Sequence, residues 1–132
     1  MALFDFTPED VARGAVLQPG WYPIEVKKAE DGIAKTSGKP KVDVHFTVLQ
    51  AIDASGAEIS GVPIVNTFSP EYPSFALNFV NALGGNVGKE GKKGINISND
   101  TCQGKRLLGY VKNDQYEGRT LNKLADFRPL DS

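Results

Sequence analysis

The sequence predicts a mainly β domain of five strands, with one helix between the third and fourth. Three observations carry this reading. A strict period of two runs over 41–49, where Val42, Val44, Phe46 and Val48 alternate with Lys41, Asp43, His45 and Thr47. Turn-forming clusters at 19–20, 31–40, 53–56 and 114–118 divide the chain into strand-length pieces. Between Ser69 and Gly85 the period changes, and Phe75, Phe79 and Leu83 recur four apart.

Each element follows from its residues. Thr7-Pro8-Glu9-Asp10 is a helix-start signal: a capping hydroxyl, proline at the first helical position, then acids favoured by the dipole. Only a turn or two can follow before Gly14 and Pro19-Gly20, so residues 1–18 read as an arm with a short helix and 19–132 as the domain. Trp21 to Ala29 is the first strand, with Tyr22, Ile24 and Val26 on one face and Trp21, Glu25 and Lys27 on the other. Lys41 to Leu49 is the second, half-buried, with one face open to solvent or ligand. Val62 to Phe68 is the third, Ile64 and Asn66 sharing a side opposite Val65 and Thr67. Ser74 is placed to cap a helix that Gly84-Gly85 ends, and its Phe75 and Phe79 belong to packing. Asn99-Asp100 can cap a further short turn. Lys105 to Lys112 and Arg119 to Phe127 close the chain as the last two strands.

Composition narrows the function. The chain has 132 residues, 15 Lys plus Arg against 16 Asp plus Glu, and a single His and a single Cys. That length suits one domain. No run of apolar residues is long enough to span a membrane, and the start lacks a secretory signal. His45 and Cys102 cannot assemble a zinc site alone, and nothing flanking Cys102 suggests an activated thiol. The run GGNVGKEGKKG at 84–94 lacks the Walker spacing. No enzyme, metal or cofactor is expected. The lone cysteine fits a reducing compartment. The net charge of −1 hides a pattern: residues 27–41 carry +3, 42–88 carry −4 with no Lys or Arg, and 89–123 carry +4. A fold that brought the two positive stretches to one rim would carry a basic cleft, to which a polyanion responds.

Three strands, a helix and two strands is the layout of the OB-fold, a small, partly open Greek-key barrel. The matching pieces are PGWYPIEVKKAE at 19–30, SGKPKVDVHFTVL at 37–49, NTFSP at 66–70, FALNFVNALGG at 75–85 and GKRLLGYVKNDQYEGRTLNKLADFRP at 104–129. With these the sequence resembles a family of small phage-encoded OB-fold proteins that bind single-stranded DNA. Residues 1–18 have no clear counterpart, and the sequence closes on Arg-Pro-Leu-Asp-Ser rather than the long acidic tail through which many replication-type binders recruit partners. The resemblance implies a five-stranded OB-fold barrel and non-enzymatic, largely sequence-independent binding of single-stranded DNA in phage replication or recombination, in the host-cell cytoplasm. It leaves room for replication or recombination proteins as further partners and for a homo-oligomer. The competing reading is a structural or adaptor β-barrel of a virion that contacts protein partners.

Gripping a single strand takes cations for phosphates and flat side chains on which bases stack. In an OB barrel the ligand crosses strands 2 and 3, flanked by the loops joining strands 1–2 and 4–5. The first loop carries Lys35 and Lys39, with Lys41 just beyond; the second carries Tyr116, with Lys112 before it and Arg119 after. Tyr116 is assigned as a platform. Trp21 has two open roles, stacking on a base or sealing a barrel end. Tyr110 is open between core and groove. His45, on the solvent side of strand 2, is a phosphate or base contact or a plain surface histidine. Phe68 is assigned to packing under the helix, and Lys92 and Lys93 to a solvated loop within reach of a backbone.

Overall fold

The computed structural model describes residues 14–35, 38–69, 72–83 and 97–130, with Tyr116 by its backbone alone. The helix start at Thr7–Asp10, the helix stop at Gly84-Gly85 and the loop bearing Lys92 and Lys93 lie outside the described residues. The elements are β1 (Gly20–Ile33), β2 (Pro40–Val48), β3 (Ala51–Ile52), β4 (Glu58–Ile59), β5 (Val62–Phe68), α1 (Pro73–Ala82), α2 (Asn99–Cys102), β6 (Arg106–Tyr116) and β7 (Arg119–Arg128). Among the described residues no helix is long and apolar enough to cross a membrane.

Five strands form one antiparallel sheet in the order β5-β2-β1-β6-β7, and β3 and β4 form a separate two-stranded ribbon. Two expectations are corrected here. The sheet is not a closed barrel: among the described residues no backbone ladder joins β5 to β7. The two strands meet instead through Asn66, whose Nδ2 donates to the Leu124 carbonyl at 3.2 Å and whose Oδ1 accepts the Leu124 N–H at 3.3 Å. The helix is also displaced in strand count, since α1 follows the fifth strand along the chain rather than the third. The added pair, β3 and β4, spans only two residues each, too short to show a period; Asp53 Oδ1 ties their turn by accepting the N–H groups of Ser55 and Ala57, both at 2.9 Å.

Other boundaries move for local reasons. β1 runs four residues past Ala29, because Asp31, Gly32 and Ile33 pair with Val42, Lys41 and Pro40; cross-strand pairing overrides the poor strand propensity of Asp and Gly. α1 starts on Pro73 after an N-cap at Tyr72, so Ser74 lies inside the helix rather than capping it. α2 is capped one residue early by Ser98, in a reciprocal box with Thr101.

The core occupies one face of the sheet. Ile24 and Val26 from β1, Val44, Phe46 and Val48 from β2, and Leu107 and Val111 from β6 are essentially inaccessible, as the period of two requires. α1 packs where β5 ends, through rings of Phe68, Phe75, Phe79 and Phe127 whose centres lie 4.9–6.0 Å apart. Phe68 is therefore a packing residue, stacked on Phe79 at 4.9 Å. At the other end, where β1 begins, Leu17 is fully buried and residues 15–17 are held by side-chain amides: Asn122 accepts the Leu17 N–H at 2.9 Å and donates to the Ala15 carbonyl at 2.8 Å, and Asn113 donates to the Leu17 carbonyl at 3.0 Å. Gly109 sits against the core, where a Cβ would come within 2.7 Å of Ile24 and 2.8 Å of Leu124.

Candidate nucleic-acid interface

The solvent face of the sheet has two parts with different chemistry. On β1 and β2, cations alternate with carboxylates at positions i and i+2, which share a strand face, and β5 adds Thr67 beside them. Lys28 Nζ meets Glu30 Oε1 at 2.9 Å, and Lys41 Nζ meets Asp43 Oδ2 at 3.0 Å. His45 Nε2 lies 3.0 Å from Glu30 Oε1, and the Thr67 hydroxyl donates to Asp43 at 2.5 Å. The Asp43 carboxyl is held below its ordinary range, first by the Thr67 hydroxyl and then by Lys41, against a desolvation cost. Lys28 likewise lowers Glu30. Three lysines of the positive segment 27–41 thus pair with strand neighbours, Glu25 included, which takes Lys27 at 3.0 Å.

Across β1, β6 and β7 the face is different. Trp21 and Tyr110 are direct cross-strand partners, with ring centres 5.4 Å apart in an edge-on arrangement at 71°. Arg128 lies over the indole, its guanidinium carbon 4.3 Å from the ring centre. Both rings sit on the side opposite Ile24 and Leu107, and both are half-buried. Two residues past Tyr110, and beyond a register shift at Val111, Lys112 stands directly opposite Lys123, an arrangement that costs stability because like charges face each other. Lys123 reaches Asp114 at 3.0 Å, and Arg106 reaches Glu25 at 2.9 Å. Among the described residues Lys35, Lys105, Lys112 and Arg119 form no ion pair.

The nine anticipated residues therefore separate. Trp21 and Tyr110 are in contact, Lys112 adjoins them, and Arg119 stands exposed at the tip of the β6–β7 hairpin. Lys41 and His45 lie on β2 within the neutralised network, and Lys28, the β1 partner of His45, is about 23 Å along the strand from Trp21. Lys35 and Lys39 are exposed at the β1–β2 turn. The side chain of Tyr116 lies outside the described residues. The two loops do not share a rim: the β1–β2 turn leaves the Ile33 end of β1, whereas the β6–β7 turn projects past the Gly20 end. Arg128 and Lys123 complete the aromatic face and fall outside the set drawn from sequence. The signal for Arg128 was its place at the end of a strand alternating Asp126 and Arg128 outward with Phe127 inward.

A cavity of about 470 Å³ opens between the far end of the β1–β2 hairpin and α1, lined mainly by Val42, Phe68, Pro73, Ala76 and Ile97. No protein-family model and no curated protein matches the sequence.

Proposed function

We propose that the protein is a non-enzymatic, OB-type binder of single-stranded DNA, of the kind that coats a strand during phage replication or recombination. The observation that carries this reading is the Trp21–Tyr110 pair under Arg128, beside Lys112 and Lys123, on a solvent face of three adjoining strands. Flat side chains next to cations are what sequence-tolerant single-strand binding requires. The strand order supports the OB-type reading too: taking only the strands of the large sheet, the order along it is third, second, first, fourth, fifth, with third and fifth meeting at Asn66.

Anisotropy of a labelled oligo-dT, titrated with the full chain at low and raised salt and challenged with duplex, tests the proposal. Binding is expected to weaken steeply with salt and to resist duplex competition. Lys112→Ala and Arg119→Ala should each flatten the log–log salt slope by about 0.7, the value for one phosphate contact on a single strand. Tyr110→Ala should weaken binding by about 1–3 kcal/mol. Absence of any salt-dependent response to oligo-dT would defeat the reading.

A further inference from the structure

We propose that Arg128 is the outermost layer of a stacking platform, its guanidinium being the surface on which a nucleobase of the single strand stacks. The inference rests on the single-strand reading above and adds a residue and a mode of contact to it. Trp21 is half-buried; Arg128 covers its ring at 4.3 Å and Tyr110 closes on it at 5.4 Å. What the free protein presents at this point is therefore the guanidinium in front of the indole. Arg128 is exposed and, among the described residues, forms no ion pair. Asp126, which shares its strand face, is engaged instead by Asn78 Nδ2 at 3.3 Å and by the Phe127 N–H at 2.8 Å.

A guanidinium is planar, delocalised and weakly hydrated, so it stacks against an aromatic ring on one side and a base on the other. The indole behind it fixes its position, which reduces the ordering cost when a base arrives. Lys112 and Lys123, the pair two residues further along β6 from Tyr110, stand where the strand's phosphates would pass. A duplex keeps its base faces inside the stack, so the same platform discriminates against paired DNA.

Arg128→Lys separates stacking from charge, because lysine keeps the charge and loses the plane. With the full chain and labelled oligo-dT, Arg128→Lys should bind at least about fivefold more weakly than the wild type, close to Arg128→Ala. The salt slope of Arg128→Lys should match the wild type. Circular dichroism of the two variants verifies that they fold, as expected for an exposed position. An Arg128→Lys variant that binds like the wild type, with a flattened slope only in Arg128→Ala, would make Arg128 a phosphate contact and overturn the proposal. So would an Arg128→Ala variant that binds as tightly as the wild type, since the base would then rest on Trp21 directly. A wild-type chain that fails to bind oligo-dT at any salt would instead remove the single-strand reading beneath it.

Discussion

Asn66 performs the work of a strand pair with one side chain. Its amide offers a donor and an acceptor in the spacing of a peptide unit, and Leu124 on β7 uses both. Asn122 repeats the device on residues 15–17. Asn66→Ala should therefore lower stability by about 1–3 kcal/mol, since it strips two backbone groups of their partner in a half-buried setting; urea unfolding followed by circular dichroism would measure the loss. The sequence carried a hint of this. Asn66 shares the inward side of β5 with buried Ile64, and a polar amide on an apolar face needs a partner. What the sequence lacked was the identity of that partner, 58 residues away. Charge pairing was legible at the same scale. Glu25 with Lys27, Lys28 with Glu30, and Lys41 with Asp43 are i and i+2 neighbours, but net charges taken over whole segments part Glu25 from Lys27 and Lys41 from Asp43.

Among the elements, β2 was the most legible because its alternation is complete, and its burial follows that alternation from Val44 to Val48. β3 and β4 were invisible because two residues carry no period. β6 was under-read by four residues, since Asn113, Asp114 and Gln115 are poor strand formers that persist only by pairing with Asn122, Leu121 and Thr120. The β6–β7 turn makes a prediction of its own. Glu117 and Gly118 both have positive φ, 50° and 77°, as the type I′ two-residue hairpin turn requires. Gly118 adopts this without cost, whereas Glu117 pays for its Cβ. Glu117→Asn should raise stability by on the order of 1 kcal/mol, read as an increased urea midpoint with unchanged slope. The same change removes a negative charge from between Tyr116 and Arg119, so under the proposed function the affinity for oligo-dT should rise with it.

For the whole molecule, the lowered carboxyls set the acid response. Glu25 is lowered first by Lys27 and then by Arg106, Glu30 by Lys28, Asp43 by Thr67, Asp53 by Ser55 and Asp114 by Lys123. A carboxyl lowered in the folded state contributes stability that is fully present above its unfolded value, near 3.8 for Asp and 4.5 for Glu, and that fades as pH falls through the folded one. Melting temperature should thus hold level from neutral pH to about pH 5 and drop below about pH 4, which differential scanning calorimetry would resolve. Raised salt should blunt this drop, because these pairs are mostly exposed. The overall β architecture could be anticipated from alternation, but the location of the aromatic face could not: it depends on which end of β1 each hairpin leaves, a matter of register that no local pattern encodes. The seam at Asn66 has one more effect. Because β5 and β7 lie against each other without sharing a ladder, each shields the outermost rim of the other from strangers. Loosening that stitch, which works beside the Phe68–Phe127 ring contact, would begin to bare two sticky borders at once, so Asn66→Ala should also self-associate on warming, visible as rising light scatter before the wild type shows any.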